Sequence, residues 1–263
     1  MARIANSPRS GLHNLAGRAL ARRWLDRGLD LVFPPACALC LAPLEMSAEG
    51  LLCPGCRDEL VDCRPACPRC GSSGLIPDPA GGCPRCNDQR LHFDAVVRLG
   101  TYDGPLRTAV LRTKRPAERG LAIALGELLV ATRAGDCQSV RPEAIVPVPM
   151  HWSRRMWRGG NSPHTIAERL ARHLGLPLAA HLLVRRRRTA PQASLSAARR
   201  VTNVRGAFRA GRHGDLAGAR LLVVDDVMTT GATVNEAAKT LRQAGAASIS
   251  VVVLARSQGL GSQ

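Results

Sequence analysis

The chain has 263 residues, 45% of them hydrophobic and only 3% aromatic, enough apolar material for one large domain or a medium domain with a small appendage. Its 35 arginines and 2 lysines stand against 20 acids, a formal net charge of +17 that points to an anionic partner such as nucleic acid or a phosphorylated metabolite. No apolar run approaches the roughly 18 residues of a membrane span, and the Arg-rich start lacks the apolar centre of a secretory signal, so a cytoplasmic protein with no transmembrane segment is expected.

Residues 1–33 form a basic helical segment. Within it, 15–33 has the spacing of an amphipathic helix packed on the protein's own body, with a membrane-surface or partner helix as the alternative. Nine of the ten cysteines then fall between 37 and 86. Cys37 and Cys40 are followed after twelve residues by Cys53 and Cys56, and Cys67 and Cys70 after twelve by Cys83 and Cys86. The second set is the first displaced by 30 positions. A C-x2-C turn aims two thiolates at one point, and two such turns make the tetrahedral four-sulfur site that suits Zn2+. The short spacers cannot bury a core alone, so metal would supply much of the folding free energy. Two structural zincs, with no position open to a catalytic water, are expected over 34–90. One zinc, or a disulfide framework in an oxidising compartment, is the alternative. Cys63 and Cys137 stand apart, Cys63 near enough to substitute as a ligand.

From 91 to 263 strands and helices alternate. FDAVVRLGTY (93–102) reads as a strand, GPLRTAVLRTK (104–114) and RGLAIALGELLVATRA (119–134) as helices, and EAIVPVP (143–149) as a buried strand. SPHTIAERLARHLG (162–175) reads as a helix with Ser162 as N-cap, Pro163 at the first helical position and Gly175 as C-cap. ARLLVV (219–224) is a further buried strand, ATVNEAAKTLRQAG a helix ending at Gly245, and ASISVVVLA (247–255) the next strand. Continuous apolar strands between helices predict an α/β fold with a mostly parallel, twisted sheet, whose ligands bind at the carboxyl ends of the strands.

One such end carries Asp225 and Asp226, followed by TTGAT (229–233) at a helix N-terminus. Amides and hydroxyls there suit a phosphate. A phosphate alone needs no carboxylates, so the adjacent acids imply hydroxyl donors or a cation beside it. A ribose 5-phosphate with Mg2+ meets both demands; an ordinary turn entering a helix is the alternative. The charge is uneven as well: residues 141–212 hold fifteen Arg against Glu143 and Glu168, a balance of +13.

VVDDVMTTGATV (223–234) resembles the ribose-phosphate motif of type I phosphoribosyltransferases. The resemblance implies that Asp225 and Asp226 face the ribose of phosphoribosyl pyrophosphate, while Thr229, Thr230, Gly231, Ala232 and Thr233 hold its 5-phosphate. IVPVPMHWSRR (145–155) is similar to the pyrophosphate loop of that fold, which implies Met150 and His151 near the diphosphate. Together with the paired cysteines and APQASLSAARRVTNVRGAF (190–208), these motifs resemble the ComF family of competence proteins over about residues 30–256. That family is associated with handling single-stranded DNA during natural transformation. The resemblance implies a DNA-handling protein with a phosphoribosyl pyrophosphate-binding domain over 91–263, and other DNA-uptake proteins as further partners. An active transferase on an unidentified small acceptor is the alternative, and a sensor that binds the pyrophosphate without turnover is a third reading.

DNA contacts are expected from Arg154, Arg155, Arg158, Arg185, Arg186, Arg187 and Arg188, with Trp152 and Trp157 stacking on bases or packing internally. Residues 186–208 are expected to form a mobile loop that brings Arg199 or Arg200 to the diphosphate. Two departures stand out. Where the family reads Arg-Gly-Phe-Asn-Gln, this chain has Arg158, Gly159, Gly160, Asn161 and Ser162. Where purine-salvage enzymes place an acid in the phosphate loop, it has Thr229, which speaks against purine salvage.

Overall fold

The thirty-residue spacing of the cysteines is also a spacing of backbone hydrogen bonds in the computed structural model. The structure describes residues 34–45, 50–74, 83–150, 162–187, 189, 197–211 and 216–258. The helix expected over 15–33, and His151, Trp152, Arg154, Arg155, Trp157, Arg158 and Arg188, lie outside those residues. The chain divides into two compact units, 1–53 and 54–263. In the first, Cys37 N–H donates to Ala42 O (2.8 Å), Leu41 N–H to Cys37 O (2.9 Å) and Leu44 N–H to Pro35 O (2.7 Å). In the second, the same bonds recur from Cys67 to Ser72 (2.9 Å), Gly71 to Cys67 (2.8 Å) and Gly74 to Pro65 (3.2 Å). The left-handed residue that closes the turn is Leu41 (φ 65°) in one copy and Gly71 (φ 72°) in the other.

The second unit begins with helix α1 (Pro54–Leu60) and the second cysteine set. The α/β elements follow: β1 (Ala95–Thr101), α2 (Gly104–Arg112), α3 (Arg119–Ser139), β2 (Ala144–Pro147), α4 (Ser162–Leu174), β3 (Leu183–Arg185), α5 (Ala197–Val204), β4 (Phe208–Ala210), β5 (Arg220–Met228), α6 (Ala232–Gln243) and β6 (Ser248–Arg256). The main sheet runs β1-β6-β5-β2 with every pairing parallel. Side chains alternate across it, as strand geometry requires. Val146, Leu221, Val223, Val251 and Val253 pack with Val234, Ala237 and Leu241 of α6 on one face. Ile145, Leu222, Val224, Val252 and Leu254 are equally buried and belong to the other face, that of the packed pair α3 and α4. Apolar burial on both faces explains why these strands read as unbroken hydrophobic runs. No helix among the described residues is long and apolar enough to cross a membrane.

Four boundaries differ from the sequence expectation, each for a local reason. β5 continues past Val224 to Met228, because β6 lies alongside and pairs Val227 with Ala255 and Met228 with Arg256. α3 continues to Ser139, since the apolar stripe resumes at the buried Cys137. Ser162 is the first helical residue of α4, and its hydroxyl is taken by Thr113 (Oγ–Oγ1 3.0 Å), so it does not act as the expected cap. Residues 186–208 are not loop throughout: they contain α5 and enter β4, which pairs antiparallel with β3.

β1 is an edge of the sheet, and the second cysteine module covers it. Val96 N–H donates to Pro68 O (2.8 Å), satisfying an edge donor that would otherwise invite another strand. A Cβ on Gly71 would stand 2.8 Å from Val96 Cγ1, so only glycine allows this approach. Asp62 completes the join. Its carboxylate accepts from Arg98 (2.8 Å), from Arg64 Nε (2.9 Å) and from the Thr101 hydroxyl (2.6 Å). Burial pushes the Asp62 pKa up, but the bonds from Arg64, Thr101 and Arg98 outweigh it and hold the carboxyl well below the usual carboxylate range. A depressed acid contributes stability above its unfolded pKa and loses it as pH falls toward the folded value.

Asp62→Asn should therefore cost about 3 kcal/mol at neutral pH, because it leaves the buried Arg98 charge uncompensated. Denaturant titration checks this at pH 7 and pH 3, with the gap between parent and variant narrowing below about pH 4. Equal midpoints at pH 7 would show that the carboxylate is not what joins the module to the sheet.

Candidate functional site

The carboxyl ends of β2 and β5 and the N-terminus of α6 open onto one region. Val148 N–H donates to Val224 O (2.8 Å), carrying the β2 chain as far as Met150, which is half-buried at that end. Asp225 and Asp226 sit inside the last turns of β5, with Asp225 only 8% exposed. The Asp226 N–H donates to Asp225 Oδ1 (2.9 Å). Burial first, then the neighbouring Asp226 charge, raises the Asp225 pKa to about 8, against that hydrogen bond and the positive charges of Lys114 and Arg185. The ionised form of Asp225 is thus disfavoured by its burial and by the second acid beside it.

The loop expected to cradle an anion follows directly. Gly231 takes φ 80° and caps α6, and a Cβ there would stand 2.8 Å from Met228 Cε. The Ala232 N–H lies 3.4 Å from Thr230 Oγ1. Thr229, Thr230, Ala232 and Thr233 are half-buried around a helix N-terminus, which favours negative charge.

Two cations flank the aspartates, and sequence reasoning assigned neither to this site. Lys114 Nζ is 3.8 Å from Asp226 Oδ2. Its turn is pinned by Ser162 on Thr113 and by the two-pronged Arg112–Glu118 pair (3.0 Å each). The available signal was scarcity, since the chain keeps 2 lysines beside 35 arginines. Arg185, expected on DNA, turns inward instead: it stacks 5.3 Å over the Phe208 ring, donates to Pro149 O (3.4 Å) and bonds the Thr189 hydroxyl. Arg187 donates to the carbonyls of Asn203 (2.9 Å) and Arg205 (3.0 Å) at the end of α5, and Arg186 is exposed. Arg199 and Arg200 lie on α5.

Arg256, at the end of β6, was also missed. It donates to Cys70 O (2.9 Å) and Met228 O (3.2 Å), and bonds Thr229 O as well. One guanidinium therefore joins the second cysteine module to the loop that carries the anion cradle.

The cysteines gather as their spacing required. Cys37, Cys40, Cys53 and Cys56 form one group, and Cys67, Cys70, Cys83 and Cys86 the other, with the sulfurs of each within 4.8 Å. Sulfur separations of 3.7 Å (Cys40–Cys53), 3.8 Å (Cys70–Cys83) and 4.0 Å (Cys67–Cys86) match the edge of a tetrahedron with zinc–sulfur bonds of about 2.3 Å. They are far too long for disulfides, and all ten cysteines are free. Both groups therefore fit structural zinc. Cys63 is exposed and belongs to neither, and Cys137 is buried, its thiol pushed up to about 12 by burial and Asp136.

Residues 164–260 match the phosphoribosyl transferase domain, and residues 28–88 match the double zinc ribbon domain. The chain is 36% identical to the DNA utilization protein YhgH of Salmonella typhimurium over 232 residues, 86% of this chain and 99% of that protein. It is 34% identical to competence protein F of Haemophilus influenzae over 224 residues, 84% of this chain and 96% of that one. Among solved structures, the purine phosphoribosyltransferase from Pyrococcus horikoshii Ot3 aligns with 61% of this chain and 77% of its own length at 22% identity and a TM-score of 0.31.

Elemental analysis of the full chain should return two zinc ions per polypeptide, and one after Cys70→Ser. Because Cys70 O is among the acceptors of Arg256, chelation should also speed amide exchange across 229–233. Less than one zinc per parent chain would overturn the assignment.

Proposed function

The chain belongs to the competence protein F family, and on that premise we propose that it handles single-stranded DNA in the cytoplasm and binds phosphoribosyl pyrophosphate with Mg2+ at the end of β5. The observation that carries the ligand reading is the pairing of a Gly231-capped anion cradle with two adjacent carboxylates, flanked by Lys114. In this reading the amides and hydroxyls of Thr229 to Thr233 take the 5-phosphate. Asp225 and Asp226 accept from the ribose hydroxyls and supply the oxygen ligands a hard cation prefers. Mg2+, when bound, offsets the diphosphate charge. Lys114 and Arg185 supply further positive charge beside the two aspartates, and the family motif puts Met150 and His151 at the diphosphate. The remaining arginines of the proposed DNA contact are Arg154, Arg155, Arg158, Arg186, Arg187 and Arg188, and such contacts are indifferent to sequence.

Calorimetry with phosphoribosyl pyrophosphate tests the ligand half. Asp225→Asn and Asp226→Asn each remove a charged acceptor, worth about 1.5–3 kcal/mol, or roughly tenfold to a hundredfold in affinity. Thr230→Val should weaken ribose 5-phosphate as well, because it acts at the phosphate end. Parent-like affinity in both aspartate variants would reduce the pair to a structural turn.

The raised Asp225 pKa adds a pH signature. Binding that selects the carboxylate should release a proton and tighten as pH rises through about 8. Stability runs the other way. An acid whose folded pKa is raised is fully accommodated only while neutral, so its ionisation destabilises the fold progressively above the unfolded value. Asp225→Asn should therefore raise the melting temperature at pH 9, and a lower one would contradict the buried like-charge pair.

A further inference from the structure

A groove of about 470 Å3 lies between α6 and the β3–β4 ribbon, lined by Arg205, Gly206, Phe208, Arg209, Lys239 and Gln243 among others. Three of these residues are cations. Among the described residues no carboxylate pairs with any of them; Arg209 bonds only the adjacent Ala210 O (3.4 Å). Seven arginines elsewhere in the unit, Arg64, Arg98, Arg112, Arg133, Arg169, Arg220 and Arg242, do have an acid partner. The one acid in the groove, Glu236, is occupied by the Gly206 N–H (2.7 Å). The same field reaches His92, whose pKa is lowered by burial and then by Arg90, Lys239 and Arg242.

The framework of the groove is built rather than incidental. Arg187 bonds the carbonyls of Asn203 and Arg205 and so fixes the turn after α5 that presents Arg205. The Glu236 bond to Gly206 ties that turn to α6, from which Lys239 projects along the same face. Arg205, Gly206, Arg209 and Gln243 are exposed, so the groove is open along its length. Small-ligand sites enclose most of their ligand in apolar walls. Here the aromatic ring, Phe208, is only 5% exposed and already stacked on Arg185. An open channel with three cations to one acid and without an exposed ring suits a chain of phosphates, not a base or a metabolite.

We infer that this groove is a seat for the sugar–phosphate backbone of single-stranded DNA, separate from the ribose-phosphate site. The inference rests on the DNA-handling reading and gives it a place that sequence did not: Arg185 is spent on internal contacts, while Arg205 and Arg209 are exposed and Lys239 is half-buried along the groove. Contact is through phosphates alone, so base composition should matter little.

The test uses the full zinc-loaded chain, a fluorescent oligo-dT 20-mer and a salt series. The triple variant Arg205→Gln, Arg209→Gln, Lys239→Gln should bind at least about tenfold more weakly at low salt. Its plot of log affinity against log salt should be shallower by about 2, the contribution of three phosphates on a single strand. Affinity for phosphoribosyl pyrophosphate should be unchanged. Lys239→Glu alone, at a half-buried position on the groove wall, should weaken DNA binding in the same direction and guards against misfolding of the triple variant. If the parent binds the oligonucleotide and both variants match its affinity and slope, the groove is not the seat, although the DNA reading stands. If the parent fails to bind at any salt, the DNA reading itself falls and the inference with it.

Discussion

The bonds made by Arg256 hold the carboxyl end of β5 and the start of the loop before α6 in place. A β-strand ends there, yet its last side chain reaches a zinc-module carbonyl on one side and the Met228–Thr229 backbone on the other. Burial pulls the guanidinium pKa below the ordinary arginine value, and the cost of that desolvation is offset by carbonyl oxygens arranged around a planar fork. A lysine offers a single point of charge and could not span those acceptors. The arrangement also explains the length of β5: the strand must run to Met228 for its carbonyl to meet Arg256 across the β5–β6 pairing. The zinc module is thus part of the sheet's carboxyl edge, and its metal-held turn bears on the loop that would receive a phosphate.

Two buried aspartates show how the surroundings decide what a carboxylate does. Asp62 has Arg64, Arg98 and Thr101 within hydrogen-bond reach, and its ionised form is the stable one. Asp225 is buried against a second acid, with Lys114 near Asp226 at 3.8 Å, and its ionised form is disfavoured. The first stabilises the join between module and sheet. The second is held mostly neutral at the open end of a strand, where burial and the adjacent Asp226 disfavour a second charge. Strain of that kind persists because the core and the Asp62 network over-determine the fold around it.

What could be read from the sequence is what is local in it. The cysteine sets were legible because each ligand lies two or twelve residues from the next, and the strands because burial on both faces writes continuous apolar runs. The turn that Gly231 makes into α6 was legible for the same reason, being one contiguous loop. Arg256 was not, because its partner Cys70 is 186 positions away, nor was Asp62, whose partner Arg98 is 36 away. Nothing in the local pattern around either residue distinguishes it from a solvated charge. Strand ends were misjudged at β5 because pairing with a neighbour, rather than the strand's own composition, decides where it stops.

The arginine run at 185–188 shows the limit of charge counting. Four like charges in a row read as one basic patch, but an extended backbone sends successive side chains in different directions. Arg185 turns onto Phe208 and the aspartate region, Arg187 onto the carbonyls at the end of α5, and Arg186 into solvent. Two of the charges are therefore answered inside the protein, one partly by Asp225 and one by backbone oxygens. The net charge of +17 still creates a long-range field that would draw a polyanion toward the molecule. Where such a chain is held is a separate matter, set by cations that have no internal partner. Arg205, Arg209 and Lys239, scattered in sequence and unremarkable there, meet that criterion together with Arg186, and unlike the run they share one groove.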